Sequence, residues 1–177
     1  ENAAERVAAL SVSGTICSSV TLSTMHGCPP EEVEAICRHL MEEHGLSSYV
    51  KLNPTLLGYE FVRNSLDALG YDYVELSRAS FDRDLHYPDA IEILHRLRAV
   101  AARAGTGFGL KLSNTLPTVN GRGVLPGGEM FLSGPALSPL TVELAARLSR
   151  ELDGALPISY AAGVIVHNIR ELFRCGI

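Results

Sequence analysis

The sequence lacks the cysteine spacings that define disulfide scaffolds and dithiol redox motifs. Its 177 residues include four cysteines, at positions 17, 28, 37 and 175, and no two of them form a C-x-x-C pair. Free thiols of a cytoplasmic protein are the simplest interpretation. His26 and Cys28 lie close enough in sequence to suggest a metal pair, but no further ligand spacing completes such a site. We therefore predict no metal site.

The sequence also lacks an excess of basic charge and any long apolar run. Against 15 lysines and arginines stand 20 aspartates and glutamates, so the net charge is −5. This balance argues against nucleic acid and against an anionic membrane surface as partners. No apolar run is long enough to span a bilayer, and we expect no signal peptide at Glu1. With 46% hydrophobic residues, the composition is that of a folded protein with a substantial core.

One short phrase occurs twice in the sequence. The letters KLNPTL at 51–56 are echoed by KLSNTL at 111–116, and each copy closes a short apolar run. This pattern places Lys51 and Lys111 near the ends of two strands, at the sheet edge where alternating β/α proteins bind ligands. A lysine in a buried strand is costly without a neutralising partner, which favours an anion or cofactor site. The alternatives are a lysine that extends to solvent and two strands that merely end in similar turns.

Segments with strand and helix patterns alternate along the chain. Predicted strands cover 16–22, the residues up to Leu52, 71–76, the residues up to Leu112, and 158–160, and Gly176 leads into one more. Predicted helices start near Pro29, Phe61, Pro88, Ser138 and Ile165 and stop at Gly45, Gly70, Gly105, Gly154 and Cys175. A glycine-rich loop is predicted over 117–134.

This alternation predicts an α/β fold with right-handed βαβ units and a parallel sheet. A complete (β/α)8 barrel needs about 250 residues. The chain is shorter and stops within a unit, so we expect residues 1–177 to form a single domain that is part of a TIM-type barrel. We expect that domain to be a piece of a larger multidomain protein.

Three stretches carry a family resemblance. Residues 21–32 (TLSTMHGCPPEE), residues 51–60 (KLNPTLLGYE) and the region of Ser159 and Tyr160 resemble the selenate reductase iron–sulfur subunits. That family consists of large multidomain flavin and iron–sulfur oxidoreductases, and the resemblance runs from Ile16 to Ile177. More distantly, the chain is similar to the FMN barrel of dihydropyrimidine and dihydroorotate dehydrogenases, of which it would be the C-terminal portion.

The resemblance implies a flavin mononucleotide cofactor and a set of residues that bind it. A fixed ammonium group near N1 and O2 of the flavin favours its reduction, which is the role implied for Lys51 and Lys111. Glycines allow backbone N–H groups to approach a phosphate, which is the role implied for Gly134 and Gly163. The residues implied in substrate binding are Asn53, Asn114 and Thr115.

Two residues are candidates for the proton donor. Thr24 matches the position where the related dehydrogenases carry a Cys or Ser, although a threonine hydroxyl is a poorer proton donor than a thiol. Cys28 is the alternative, because it precedes Pro29 at a predicted helix N-terminus, where the helix dipole should lower the pKa of its thiol. A structural role for Cys28 is also open.

Taken together, the resemblance implies an oxidoreductase barrel that exchanges electrons with a small, heterocyclic substrate and with other redox domains of the same polypeptide. No cysteine cluster in this chain could hold an iron–sulfur centre, so any cluster must lie elsewhere in the full protein. Selenate is not taken as the substrate. Two alternatives are a Schiff-base, aldolase-like lyase that uses Lys51 or Lys111, and a scaffold barrel without a cofactor.

The isolated chain has its own expected behaviour. We expect it to purify without flavin and to lack activity, because the second loop of the phosphate site would lie beyond Ile177. We also expect self-association through the edge of the unclosed sheet.

Overall fold

The computed structural model describes residues 2–24, 26–123 and 125–177. Its strands are β1 (Ser19–Ser23), β2 (Ser47–Leu52), β3 (Phe108–Leu112), β4 (Leu116–Val119), β5 (Glu129–Leu132) and β6 (Ile158–Tyr160). Its α-helices are α1 (Ala3–Ala8), α2 (Pro30–Glu42), α3 (Tyr59–Ala68), α4 (Arg78–Arg83), α5 (Tyr87–Ala104), α6 (Ser138–Glu151) and α7 (Ile169–Arg174). Short 3-10 helices cover Pro54–Leu57 and Gly134–Leu137. None of the described helices has the length and apolar character needed to cross a membrane.

Four strands form one parallel sheet in the order β1-β2-β3-β6. Helices connect them, so the predicted α/β class with parallel strands is confirmed. In the described ranges the sheet does not close on itself, and β1 and β6 are its edges. This arrangement is that of a partial (β/α)8 barrel.

The core lies between this sheet and the helices on one of its faces. Alternate residues of β2, and Phe108, Leu110 and Leu112 of β3, are buried against α2, α5 and α6, because successive side chains of a strand point to opposite faces. The buried sheet residues include Val50, Leu52, Leu110 and Leu112. The opposite face carries Tyr49, whose ring lies so close to Gly109 that a Cβ added there would be 2.5 Å from Tyr49 Cε1.

The strand predicted at 71–76 is wrong. Only Leu76 forms a β-bridge, an isolated antiparallel one with Thr118, and β2 pairs directly with β3. The guanidinium of Arg63 explains the difference, since it donates hydrogen bonds to the backbone oxygens of Tyr71 and Val74. These bonds hold the segment in a turn, in which the N–H of Val74 also donates to Tyr71 O at 3.0 Å. The segment is part of one long connection between β2 and β3 and adds no strand to the sheet.

The prediction of a long loop over 117–134 is also wrong. Most of this segment belongs to an antiparallel hairpin of β4 and β5, in which Thr118 Oγ1 donates to the backbone oxygen of Met130 at 3.0 Å. Strands of four residues are too short to show an alternating pattern in the sequence. The hairpin stands beside the carboxyl ends of β1 and β3 and forms a wall there.

Smaller corrections concern the helix ends. Ser138 does not cap α6, because it is the helix's first residue and its hydroxyl bonds to the hydroxyl of Tyr160 at 2.7 Å. The last helix is shorter than predicted, and Gly176 does not begin a strand. The N–H of Ile177 instead donates to Leu172 O at 3.2 Å, which closes the end of α7.

Gly163 offers a test of the packing between two loops. Its φ is 78°, and a Cβ would lie 2.7 Å from Pro135 Cα and 2.8 Å from Pro135 N. Gly70 has a similar φ of 80° but open space around it. We expect Gly70→Ala to lower the free energy of unfolding by about 1–2 kcal/mol through backbone strain. Gly163→Ala should cost about 1–3 kcal/mol more, because the proline backbone must move. If urea unfolding shows the same decrease in the free energy of unfolding for both variants, the packing of Pro135 against Gly163 is not what requires glycine there.

Candidate functional site

The two lysines occupy equivalent positions on neighbouring strands. Lys51 and Lys111 are register partners, and the row across the sheet reads Ser23, Lys51, Lys111, Ser159. They alternate with the core residues, so both lie on the face opposite the helices, where each is half-buried. Neighbouring strands are about 4.8 Å apart. The two side chains are therefore adjacent.

These are the only two lysines of the chain. Among the ion pairs of the described residues, none joins Lys51 or Lys111 to a carboxylate. Like charges placed side by side on a sheet are destabilising. An unpaired row of two ammonium groups between two serines is chemically suited to an anionic group.

Thr24 and Asn114 tie the carboxyl ends of three strands together. The hydroxyl of Thr24 donates to Lys51 O at 2.7 Å, and the amide of Asn114 donates to Thr24 O at 2.7 Å. The backbone N–H of Asn114 donates to Leu52 O at 2.8 Å. The one proton of the Thr24 hydroxyl is thus engaged in a structural bond. Its role as a proton donor stays a prediction.

The environment of Cys28 differs from the predicted one. Burial raises the pKa of its thiol, and the charge and hydrogen bonding of Glu32 raise it further. The expected lowering of this pKa is therefore wrong, because burial of the thiol, and after it the carboxylate of Glu32 in the first turn of α2, raises the pKa instead. Burial raises the pKa of Cys37 to about 12. In the described ranges no group of three or more His, Cys, Asp or Glu side chains could hold a metal ion.

A buried carboxylate that the sequence did not reveal organises the region. Asp84 follows α4, and its side chain is fully buried. It is joined to His26 Nδ1 at 2.7 Å and accepts hydrogen bonds from Thr55 Oγ1 at 2.7 Å, Asn53 Nδ2 at 3.2 Å and Gly27 N at 2.9 Å. Burial alone would raise the pKa of Asp84. The bonds from His26, Thr55 and Gly27 outweigh it and hold the pKa below its ordinary value.

Asp84 orients the imidazole of His26. With Nδ1 on the carboxylate, Nε2 lies 3.5 Å from Thr115 Oγ1. The ring stacks on Phe131 of β5, with 5.4 Å between centroids and 15° between planes. The side chain is 15% exposed, so the ring is held on three sides and remains accessible on the fourth.

His26 faces an open cavity of about 590 Å³. The ends of β1 and β3 form one side of it through Ser23, Thr24, Asn114 and Thr115, and the hairpin forms the other. Arg83 and Glu129 are also on its wall, with 3.6 Å between guanidinium and carboxylate.

Glu129 is held in place by two hydroxyl groups. Ser77 and Ser80 each donate to Oε1 at 2.7 Å, and these bonds are the main reason that the pKa of Glu129 is lowered.

Two of the predicted ligand-binding residues, Asn53 and Gly163, have protein neighbours where a ligand was expected. Asn53 is buried and donates to Asp84, and its Oδ1 has no hydrogen-bond partner among the described residues. Gly134 and Gly163 lie in loops that meet, but Pro135 fills the space above Gly163. The space around Gly134, with φ 74°, is open.

The sequence did not reveal that His26, Asp84, Arg83, Glu129 and Phe131 converge. Asp84 is 58 residues from its imidazole partner, and no spacing rule connects such positions. The one available signal was the location of His26 directly after a predicted strand, where ligand-binding residues concentrate.

Asp84 gives a pH-dependent prediction. A carboxylate with a lowered folded pKa contributes stability that is present above its unfolded pKa, near 4, and is lost as the pH falls through the folded value. We expect Asp84→Asn to lower the free energy of unfolding at pH 7 by about 2–4 kcal/mol. The difference from wild type should shrink at about pH 3.

The matched control is Asp67→Asn. The Asp67 side chain is 49% exposed and pairs with Arg63 four residues away on the same helix. Its loss should cost about 0–1 kcal/mol. Urea unfolding at the two pH values checks both variants, and a difference for Asp84→Asn that is as large at pH 3 as at pH 7 would contradict the assigned charge state.

Comparisons with known proteins give the family. All residues 1–177 match the family described as "Oxidoreductase YgfK, N-terminal TIM-barrel domain". The chain is also 57% identical over 158 residues to proteins named "Putative oxidoreductase YgfK" from Escherichia coli strain K12 and from Escherichia coli O157:H7. The match covers 89% of this chain and 15% of each relative, so the chain spans about a seventh of their length. The predicted TIM-barrel architecture is thereby confirmed, and the chain belongs to the family of the N-terminal TIM-barrel domain of oxidoreductase YgfK.

Proposed function

We propose that this chain is the FMN-binding barrel domain of a flavin and iron–sulfur oxidoreductase that exchanges electrons with a small, heterocyclic substrate. The observation that carries the proposal is the unpaired, in-register pair of Lys51 and Lys111 on the helix-free face of the sheet. The family name supports oxidoreductase chemistry. The finer assignment to flavin rests on the chemistry of the site.

The lysine row fits the ring of a flavin. When bound, FMN supplies two-electron chemistry and gains negative charge near N1 and O2 on reduction. Two ammonium groups carried by neighbouring strands, whose backbones are about 4.8 Å apart, would stabilise that charge. Ser23 and Ser159 at the ends of the row add hydroxyl donors for the same face.

Gly134 is the better of the two candidates for the phosphate end. Its left-handed backbone has open space where a Cβ would be, which allows close approach of an anion to the chain. At Gly163 that space is occupied by Pro135. The glycine there is explained by packing between the two loops.

The substrate would lie in the cavity next to the lysine row. Ser23 lines the cavity and is the register partner of Lys51, so the two regions adjoin. Thr115 offers a hydroxyl and Asn114 an amide at its wall. Iron–sulfur clusters and other redox domains would belong to the remaining part of a longer polypeptide, of which the relatives are examples. Four unpaired thiols support a cytoplasmic location.

Adjacent lysines also favour a second candidate, a Schiff-base lyase. A lysine amine beside another cation is an arrangement that activates the amine as a nucleophile. Borohydride reduction in the presence of small carbonyl compounds would trap an adduct on Lys51 or Lys111. Because the chain has no other lysine, peptide mass spectrometry assigns the adduct, and a stoichiometric one would favour the lyase over the flavoprotein.

The flavin proposal predicts the effect of Lys51→Met in the full-length protein. We expect bound FMN to be retained but its midpoint potential to fall on the order of 50 mV, or about 2 kcal/mol for a two-electron couple, because one cation near the reduced ring is lost. Lys51→Arg keeps the charge and should shift the potential less. Arg98→Met removes an exposed charge on the far side of α5 and is the control.

The measurement is a spectroscopic redox titration after the visible spectrum has established whether flavin is bound. A full-length protein without flavin absorbance, or an unchanged potential in Lys51→Met, would count against the proposal.

A further inference from the structure

His26 has a fixed orientation in which one ring nitrogen is committed and the other is not. The carboxylate of Asp84 accepts hydrogen bonds only, so Nδ1 of His26 carries the proton between them, at 2.7 Å. In the neutral ring Nε2 then carries a lone pair. Among the described residues its hydrogen-bond partner is the hydroxyl of Thr115, at the long distance of 3.5 Å, which a bound molecule can replace. This is the arrangement of an oriented general base.

The support for the ring is built into the fold. Asp84 is fixed by donors from the end of β2 and from the backbone of Gly27, so neither the carboxylate nor the imidazole can rotate freely. Phe131 packs on the ring face. His26 therefore satisfies Asp84 through Nδ1 and at the same time has a defined ring orientation in the cavity.

The other charged groups of the cavity leave Nε2 free. Glu129 faces the same space, but its Oε1 accepts hydrogen bonds from Ser77 and Ser80 and lies 3.6 Å from Arg83. Neither the carboxylate nor the guanidinium is bonded to His26. The imidazole therefore remains available to a bound molecule.

We propose that His26 exchanges a proton at Nε2 with a small planar molecule in the cavity, and that Asp84 is its positioning residue. The inference deepens the proposed function and rests on it for its redox half. When a substrate loses a hydride from one atom and a proton from the next, a double bond forms between them. Nε2 takes that proton, and a bound flavin would supply the acceptor for the hydride. In the reverse direction Nε2 returns the proton.

The test uses 5-nitrobenzisoxazole, a planar probe that needs a base and no flavin. A base removes its ring C–H proton, the electron pair of that bond forms a nitrile, and the N–O bond breaks to release an absorbing phenolate. With this 177-residue chain at neutral pH, we expect His26→Asn to lower the rate at least about tenfold. The asparagine amide can still donate to Asp84, which protects the fold. His44→Asn, on an exposed histidine that contacts His39, should stay within about twofold of wild type.

A spectroscopic readout separates positioning from mere stability. In 15N NMR of the wild type, neutral His26 should carry its proton on Nδ1. In Asp84→Asn the proton should move towards Nε2, and the rate with the probe should fall about tenfold or more.

The possible outcomes are distinct from those of the flavin test. A wild-type rate equal to that of His26→Asn, or a neutral His26 protonated on Nε2 in the wild type, overturns the inference. Either result leaves the lysine row and its redox titration untouched. If Lys51→Met leaves the flavin potential unchanged while the reaction with the probe is intact, the flavin proposal fails and the roles of His26 and Asp84 stand.

Discussion

The buried carboxylate of Asp84 is the constraint on which the rest of the site depends. An ionised group without water is tolerated only when donors surround it. Here the donors come from the loop after β1 and from the end of β2, while Asp84 itself follows α4. Satisfying one charge therefore fixes three separate segments relative to one another. The His26 ring takes its position from that requirement.

The two positive charges on the sheet, unlike the buried charge of Asp84, have no protein partner among the described residues. Lys51 and Lys111 are neighbours in register with no compensating carboxylate in the described ranges, whereas the carboxylate of Asp84 is surrounded by hydrogen-bond donors. Backbone bonds through Thr24 and Asn114 hold the strand ends together, so the lysine row does not depend on its own charges for stability. The unpaired charge is thus available for an external partner.

Local signals predicted much of the fold, and long-range contacts account for what they missed. The helices α2, α3 and α5 follow proline and glycine signals that act within a few residues. The strand predicted at 71–76 does not form, because the segment is held in a turn to which Arg63, on the preceding helix, donates two hydrogen bonds. The repeated phrase revealed Lys51 and Lys111 because both copies obey one local pattern. Asp84 obeys none, and its importance comes only from partners brought together by folding.

The two chemical parts of the site lie together because of the topology. Parallel strands place all their carboxyl ends at one edge of the sheet. Lys51 lies near the end of β2 and His26 lies in the loop after β1, so both are at that edge. Cations next to a reducible ring stabilise an added electron pair, and an oriented imidazole accounts for the proton that must accompany it. Ser23 connects the lysine row and the cavity, because it is the register partner of Lys51 and also lines the cavity wall. With flavin on the lysine row, as proposed, a molecule in the cavity would lie within reach of a hydride acceptor and a proton acceptor at the same time, which is the geometric condition for the coupled removal of a hydride and a proton.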